Sequence, residues 1–414
     1  MKFEAAHTEG GSPGRARRIM VPSTSMSNAD LSSTRPLAVL RALLDAIDRD
    51  ILQLISRRMG IVAEIASTKR KGRIRIRDLK REREVLADRM QRAERLGLPG
   101  GVIESVYRLL LLASRDRQAA LRAEVPEDVE PKAVAIIGGK GGMGQSLARL
   151  FGDLGHAVMI ADVDTKLTAV EAAKHADVVV VSVPIRATEK VISEVGPHVR
   201  PNALLMDVTS VKEAPMQAML SATQASVVGT HPMFGPGVHG FTGQRVVVCE
   251  GRGKAWKEWV VETFRSRGLV VTEADPAEHD RVMSVVQVLN HFQTQVLGLA
   301  LARMGLPLDR TLEFTSPAYL LETYVVGRHF AQSPGLYGPI EMLNPRTQEV
   351  TQTFRDAAAD LSEVLASGDQ ARFDAVFAEV RTFFGEEFTA EALEQSRFLV
   401  DRLIELTAGR AAHS

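Results

Sequence analysis

The chain has 414 residues, of which 45% are hydrophobic and 25% are charged, and its formal net charge is zero. This length exceeds one ordinary core, so two or three domains are expected. No run of about 18 apolar residues occurs, which argues against a membrane span. The single cysteine, Cys249, excludes an intramolecular disulfide and a cysteine-rich zinc site. No metal is predicted, and a cytoplasmic location follows as the default.

The charge is unevenly distributed along the chain. Residues 1–130 contain 25 Lys and Arg against 18 Asp and Glu, a net charge of +7, and the remainder carries −7. A basic N-terminal region is consistent with binding either nucleic acid or a small anionic substrate. Residues 1–35 are rich in Ser, Gly and Arg and show no apolar periodicity, so we predict a disordered leader there.

The next segment has a helical pattern throughout. From Leu37 to about residue 70, apolar residues recur at helical spacing, which predicts one helix of roughly 34 residues. Two further helices are predicted at about 77–96 and 102–123. A helix as long as the first cannot bury its apolar face alone. We therefore predict a small all-α domain at residues 36–123 that needs a partner.

The pattern changes after an acidic, proline-flanked linker predicted at residues 124–131. Short apolar runs then alternate with helical stretches, which is typical of an α/β domain with a parallel sheet. We place this domain at residues 132–275 and a third, all-α domain at residues 276–414. The predicted strands are 133–137, 157–161, 177–183, 204–207, 226–229, 245–249 and 269–272.

The loop after the first predicted strand reads Gly139-Lys140-Gly141-Gly142-Met143-Gly144, which matches G-x-G-x-x-G at the start of a helix. Gly139 permits a tight turn, Gly141 lets the backbone approach a pyrophosphate, and Gly144 allows close helix–strand packing. Asp162 ends the second strand, where it would accept from the ribose hydroxyls and repel a 2′-phosphate. The motif therefore predicts NAD rather than NADP, with a Rossmann-like fold lacking a cofactor as the alternative. The predicted cofactor contacts are Gly139, Gly141, Gly142, Met143, Gly144, Asp162 and Ser182, the last at the end of the third strand.

Two loops that follow later strands carry candidate catalytic groups. Residues 207–212 read DVTSVK and residues 229–235 read GTHPMFG. His231 could accept a proton from an alcohol while hydride leaves its carbon, and Ser210 could orient the imidazole. A structural loop histidine is the alternative interpretation of His231. Arg328, on a later predicted helix, suits a bidentate carboxylate contact.

These strings resemble the prephenate dehydrogenase family from residue 133 to about 400. The matching motifs are IIGGKGGMG, VSVPI, DVTSVK, THPMFGP, HD followed by NHF, and SPAYLLETYVVGRHFAQ. The resemblance implies a Rossmann domain, a helical dimerisation domain, and NAD-dependent oxidative decarboxylation of prephenate to 4-hydroxyphenylpyruvate. It places the family's catalytic histidine on His231, its serine partner on Ser210, its ring-carboxylate arginine on Arg328 and its second substrate-side histidine on His291.

The segment Lys69–Arg83 holds nine basic residues, so a nucleic-acid contact competes with a small-molecule site. At about 100° per residue, Arg58 and Lys69 share one helix face about 16 Å apart and could bind one small dianion. Arg41 points elsewhere. In an antiparallel dimer of such helices it would serve the partner's site.

Ser114 and Gln118, at i,i+4 on the third helix, offer neutral polar contacts on one face. The motifs LRALLDAIDRDIL, AEIASTK, RDLKRER and ASRDRQ resemble the all-helical chorismate mutase family over about residues 36–118. The family's reaction is a unimolecular rearrangement that needs a fixed substrate conformer and stabilised charge on the ether oxygen. The resemblance implies that Lys69 and Gln118 stabilise that oxygen and that the pocket includes Arg41, Arg58, Asp78, Arg81, Glu82 and Ser114.

The two resemblances name consecutive reactions, since the mutase product is prephenate. The leading hypothesis is a homodimeric bifunctional enzyme of tyrosine biosynthesis that converts chorismate to prephenate and prephenate to 4-hydroxyphenylpyruvate, with NAD as cofactor and no nucleic-acid or membrane partner. One alternative is a dehydrogenase that prefers arogenate, with the mutase intact. The other is an NAD-sensing nucleic-acid-binding protein that uses residues 69–83.

Overall fold

The computed structural model describes residues 35–408 except 73, 75, 77, 122–129 and 239. Nearly all of the predicted leader and most of the predicted linker fall outside the described residues. The chain divides into two compact units, one ending at Gly60 and the other beginning at Ile61.

The described part of the first unit is helical. It contains the N-terminal portion of α1 (Leu37–Gly72), which confirms the long helix predicted from the apolar spacing. The apolar stripe of this portion is open to solvent, with exposures between 42% and 62% for Leu37, Leu40, Leu44, Ile47 and Ile51. Such a stripe is stable only when another surface covers it.

The second unit begins with the rest of α1, followed by α2 (Leu79–Arg95) and α3 (Gly100–Ala120), which pack against each other. Asp78 caps α2 by accepting a hydrogen bond from the backbone N–H of Arg81 at 2.9 Å. The turn between α2 and α3 uses Gly97, whose φ of +69° favours glycine.

A seven-stranded sheet follows, with strand order β2-β1-β3-β4-β5-β6-β7. The first five strands are parallel, as predicted, but β6 runs antiparallel to β5. The described residues between β5 and β6 form no helix, and a parallel pair needs a longer crossover, usually helical. The strands are β1 (Ala133–Ile137), β2 (Ala157–Ala161), β3 (Val178–Val181), β4 (Leu204–Asp207), β5 (Ser226–Pro232), β6 (Arg245–Arg252) and β7 (Val270–Glu273).

Helices cover both faces of the sheet. On one face α4 (Gly142–Asp153) and α8 (Lys254–Ser266) bury side chains such as Phe151 and Phe264 against β1, β3 and β4. The opposite face packs α5 (Ala169–His175), α6 (Ile185–Val195) and α7 (Glu213–Ala222). Successive strand residues face opposite sides of the sheet, and an apolar core covers each side. The strands therefore read as continuous hydrophobic runs.

From Pro276 onward the described chain is helical, which confirms the predicted all-α region. A π-helical segment, Ser284–Leu289, joins the first two helices of this region. Among the described helices, none combines the length and apolarity needed to cross a bilayer. The helices are α9 (Pro276–Met283), α10 (Asn290–Arg303), α11 (Leu308–Glu313), α12 (Pro317–Phe330), α13 (Pro334–Met342), α14 (Thr347–Ser367), α15 (Gln370–Phe384) and α16 (Glu386–Ala408).

Candidate active sites

The glycine loop joins β1 to α4 at the point where the strand order reverses, which is where open α/β sheets bind ligands. Gly138 takes the tight turn with a φ of +81°, so the sequence assignment of that role to Gly139 is corrected. Gly139 is required for a different reason, because a Cβ there would lie 2.7 Å from the side chain of Ile160. At Gly144 a Cβ would lie 2.4 Å from the carbonyl oxygen of Gly138, which confirms a close approach.

The N terminus of α4 fits a pyrophosphate. Gly141 precedes the helix, and no side chain caps it. The first-turn N–H groups of Gly142 and Met143 and the positive end of the helix dipole are therefore available to an anion. A Cβ on Gly142 would lie 2.9 Å from Pro236, so the loop after β5 closes on the same helix. Ser182 directly follows β3 and donates its backbone N–H to Ile137 at 2.8 Å, which places it at the same sheet edge.

Asp162 lies at the end of β2, as predicted. Its carboxylate accepts the backbone N–H of Lys140 at 2.9 Å and that of Val163 at 2.8 Å. The Lys140 ammonium is paired with Asp164 at 2.7 Å. Two carboxylates therefore stand where the adenine ribose of a dinucleotide lies in this fold, and they disfavour a 2′-phosphate.

His231 lies on β5 and is 2% exposed. Its Nδ1 lies 2.9 Å from Nε2 of His279 on α9, and Nδ1 of His279 lies 2.7 Å from the carboxylate of Asp280. That carboxylate also accepts the backbone N–H groups of Lys212 and Glu213 at 2.8 and 3.0 Å. A carboxylate holding these donors fixes the direction of the whole chain of hydrogen bonds.

The tautomers follow from this direction. Asp280 accepts from Nδ1–H of His279, so Nε2 of His279 accepts from Nδ1–H of His231. Nε2 of His231 then carries the lone pair and accepts from the side-chain amide N–H of Gln287 at 3.3 Å. Burial lowers the pKa of His231 well below its ordinary value, and the electrostatic interactions with His279 and Lys212 lower it further. His231 is therefore a neutral base.

A buried ion pair supports the same strand ends. Lys212 is fully buried, and its ammonium bonds the carboxylate of Asp207 at the end of β4 and the carbonyl of Thr230 at 2.8 Å. The hydroxyl of Thr230 donates to the carbonyl of Asp207 at 2.6 Å. These contacts fix the residue directly before His231 against the neighbouring strand.

Replacing Lys212 with Met should destabilise this part of the protein by about 3–5 kcal/mol, because Asp207 would be left as a buried charge without its partner. The measurement is the denaturant midpoint followed by intrinsic fluorescence. Lys254→Met is the matched control, since Lys254 is 81% exposed in its side chain and its change should stay within about 0.5 kcal/mol. Equal midpoints for the two variants would contradict the role given to the pair.

The structure assigns the orientation of His231 differently from the sequence interpretation. Ser210 was expected to orient the imidazole, but among the described residues no hydrogen bond joins Ser210 to His231. His279 has that position instead, on α9, which lies far along the chain and packs against α7, the helix that follows β4. His291 lies one helical turn beyond Gln287. Arg328 is exposed on α12, and within the described part of the chain no hydrogen bond joins it to His231.

The predicted mutase residues of the second unit lie on α2, α3 and the end of α1. Gln118 is buried and donates to the carbonyl of Ser114 at 3.2 Å, which confirms that they share a face. The ammonium of Lys69 donates to the carbonyl of Ile76 at 2.6 Å. Glu82 pairs with Arg115 at 2.8 Å, a contact that the sequence interpretation did not include.

The remaining predicted mutase residues are placed as follows. Arg81 is exposed and lies 3.4 Å from Glu84, and Asp78 serves as the cap of α2. Arg41 and Arg58 belong to the first unit, on α1. Their predicted roles therefore stay predictions.

The site combines a Rossmann sheet, an uncapped glycine-rich helix start, an acid after β2 and a neutral histidine at the carboxyl edge of the sheet. Together these features define an NAD-dependent dehydrogenase. Family models match the chain in three places. The prephenate dehydrogenase nucleotide-binding domain matches residues 153–273, and the prephenate dehydrogenase dimerization domain matches residues 275–379. Chorismate mutase type II matches residues 40–119.

Two curated relatives are similar over nearly their whole lengths. The T-protein of Enterobacter agglomerans is 35% identical over 88% of this chain and 95% of its own. The T-protein of Haemophilus influenzae is 32% identical over 92% of this chain and 100% of its own. The solved prephenate dehydrogenase of A. aeolicus, in complex with hydroxyphenyl propionate and NAD+, shares the fold with a TM-score of 0.52 at 20% identity, covering 62% of this chain and 98% of that one.

The chain belongs to the T-protein family, in which a chorismate mutase domain precedes the prephenate dehydrogenase domains. It is a bifunctional enzyme of tyrosine biosynthesis with both activities, and its cofactor is NAD. The three-part fold class predicted from the sequence is confirmed.

Proposed function

We propose that His231 is the general base of the dehydrogenase and that His279 and Asp280 position it. The observation that carries this proposal is the hydrogen-bonded series from Asp280 through His279 to His231, which leaves Nε2 of His231 as the acceptor. In this proposal Nε2 takes the proton of the 4-hydroxyl of prephenate. The glycine loop and Asp162 would hold NAD, which when bound would supply the hydride acceptor for the carbon that carries this hydroxyl.

Loss of CO2 from the opposite ring carbon completes the reaction, because it makes the ring aromatic. Arg328 would hold the ring carboxylate until it leaves, and His291 would face the substrate from α10. The positive charge that appears on His231 during proton transfer is stabilised through His279 by the Asp280 carboxylate. The enzyme's contribution is thus positioning and one base.

The pH dependence of the dehydrogenase tests this assignment. Burial lowers the pKa of His231, and the neutral form is the active one. As pH falls, kcat/KM for prephenate should therefore stay level through about 6.5, the ordinary histidine value, and decline only at lower pH. The measurement is initial NADH formation at low prephenate concentration across this range. A decline centred at or above pH 6.5 would contradict the assignment.

For the mutase we propose that Lys69 and Gln118 donate to the ether oxygen of chorismate as its C–O bond breaks. Arg58 and Arg81 would bind the substrate carboxylates, and Ser114 would complete the polar lining. Asp78 and Glu82 would lie near the hydroxyl and the ring. The reaction is an isomerisation, so it requires no proton or hydride acceptor.

We also propose a homodimer in which Arg41 acts in the mutase site of the partner. The exposed apolar stripe of α1 supports this proposal, because a second copy of the same helix would cover it. The match of residues 275–379 to a dimerization domain gives a second, separate support.

Mixing two inactive variants tests the dimer directly. Arg41→Ala and Lys69→Ala should each lack mutase activity, but co-expressed subunits should regain about a quarter of the wild-type sites, because half of the dimers are mixed and each mixed dimer has one intact site. If Arg41 acts within its own subunit, the mixture would remain as inactive as its components.

The family match favours the enzyme over an NAD-sensing nucleic-acid-binding protein, because Lys69 and Arg81 of the basic segment belong to the mutase motif. A cytoplasmic location is part of the proposal, as is the division of the chain at 36–123, 132–275 and 276–414.

A further inference from the structure

A buried arginine links the mutase helices to the dehydrogenase sheet domain. Arg267 directly follows α8 and is 5% exposed. Its guanidinium donates to the carbonyl of Ala119 on α3 at 3.1 Å and to the carboxylate of Asp153 on α4 at 2.7 Å. Ala119 is the last residue of the match to chorismate mutase type II, and Arg267 lies within the match to the prephenate dehydrogenase nucleotide-binding domain. The contact therefore crosses from one enzyme to the other.

The guanidinium of Arg267 is held in a defined orientation. Nη2 bonds the carboxylate of Asp153, the last residue of α4, and Nη1 bonds the carbonyl of Ala119. Its Cζ lies 5.8 Å from the ring centroid of Phe241, which is a cation–π distance. Because the donors of a guanidinium form a planar, rigid fork, the bond to Asp153 also directs the donor that faces Ala119. Arg267 is thus a rigid link between the end of α4 and the end of α3.

The bond is made where α3 needs a donor. Ala119 lies in the last turn of α3, where the carbonyls point beyond the helix and carry the negative end of its dipole. A cationic donor at this end stabilises the turn for both reasons. The loop before β6 lies against the same turn, since a Cβ on Gly240 would lie 3.0 Å from Oδ1 of Asp116. The dehydrogenase part of the chain therefore holds the end of α3 at two points.

The turn that Arg267 holds carries Gln118, which directly precedes Ala119. Gln118 is buried, and its amide nitrogen donates to the carbonyl of Ser114 on the same helix at 3.2 Å. Its amide oxygen has no hydrogen-bond partner among the described residues. Within that part of the chain, the amide is hydrogen bonded only to its own helix. Its position in the mutase site therefore depends on how the last turn of α3 is held.

We propose that Arg267 is a positioning residue for the mutase reaction, although it belongs to the dehydrogenase part of the chain. It fixes the last turn of α3 against α4, and this turn keeps the amide of Gln118 at the ether oxygen of bound chorismate. The inference rests on the role proposed above for Gln118. Arg267 does not touch the substrate, so it acts only through the position of that amide.

The expected effect is on turnover of chorismate and not on its binding. The amide of Gln118 acts on the ether oxygen as charge develops there in the transition state, whereas the arginines bind the carboxylates of the ground state as well. A displaced amide should therefore lower kcat and leave KM for chorismate nearly unchanged. A displacement of about 1 Å can cost a rate factor of about a hundred.

The experiment is a double-mutant cycle in the full-length enzyme, with Arg267→Met and Gln118→Ala alone and together. Arg267→Met alone should lower mutase kcat by about tenfold to a hundredfold. In the Gln118→Ala background it should lower kcat no further, because the group that it positions is absent. The measurement is the disappearance of chorismate absorbance, at enzyme concentrations that keep every rate above the uncatalysed one.

Prephenate oxidation reports whether each variant is folded, and it should stay at the wild-type level in Arg267→Met. Arg265→Met is the matched control, because Arg265 lies on α8 with a side chain that is 49% exposed, and both activities should be unchanged. If Arg267→Met does not fold, Arg267→Lys replaces it in the cycle, since it keeps the charge but not the forked geometry. A smaller loss of mutase kcat is then expected, and again no loss in the Gln118→Ala background.

Losses that multiply in the double variant would overturn the inference, because Arg267 would then act independently of Gln118. Wild-type mutase kcat in Arg267→Met, or an equal loss in Arg265→Met, would also overturn it. In each of these cases the role of Gln118 itself is untouched. If Gln118→Ala is as active as the wild type, the proposed role of Gln118 fails and the inference fails with it.

Discussion

Replacing His231 with Asn should lower kcat for prephenate oxidation by about 10²–10⁴-fold, the usual contribution of a positioned general base. Asn is close in size and can still hydrogen bond with His279, but its amide nitrogen is not basic and cannot accept the hydroxyl proton. The measurement is steady-state NADH formation from prephenate and NAD. KM should change much less than kcat, because His231 acts on the proton during its transfer in the transition state and not on the binding of the substrate.

Mutase activity is the internal control for this variant, since His231 lies on β5 and the mutase motif ends before the sheet begins. Chorismate consumption should equal that of the wild type. Loss of both activities would contradict the assignment of the mutase and dehydrogenase reactions to separate domains. Retention of dehydrogenase activity would contradict the role of His231 itself.

Replacing Lys69 with Ala should lower mutase activity by about 10²–10³-fold, comparable to the loss of one donor to a developing oxyanion. The ammonium of Lys69, near the end of α1, donates to the backbone carbonyl of Ile76 beyond the helix, which holds it at a fixed position rather than free in solvent. The measurement is the disappearance of chorismate absorbance, and prephenate oxidation should be unaffected.

Lys71→Ala is the matched control for Lys69→Ala, because Lys71 lies two residues further on and is exposed. It removes the same charge from the same basic segment and should leave both activities intact. Equal losses in the two variants would show that the segment acts through its overall charge, as a nucleic-acid contact would.

The elements with regular patterns were predictable from the sequence. The spacing of Leu37 to Ile51 predicted α1, and the apolar runs around the glycine loop predicted the Rossmann unit. These signals are local, because each depends on residues within one helix or one strand–loop–helix unit. The antiparallel direction of β6 was missed because the direction of a strand depends on the length and content of the connection before it. The strand's own residues do not show it.

The candidate site was predictable only in part, for the same physical reason. His231 stood out because a histidine after a parallel strand points to the ligand edge. Its partner His279 is 48 residues away on another element, so no local pattern could join them. The pair Glu82–Arg115 likewise depends on the packing of α2 against α3. Gly138, rather than Gly139, takes the positive φ because the turn begins one residue earlier than the motif suggests.

The most direct test of the whole account is a single reaction that contains the purified enzyme, chorismate and NAD. The account predicts that each chorismate consumed gives one NADH and one 4-hydroxyphenylpyruvate, with prephenate appearing only transiently. Accumulation of prephenate without NADH would contradict the dehydrogenase assignment. Unchanged chorismate, with NADH still formed from added prephenate, would contradict the mutase assignment.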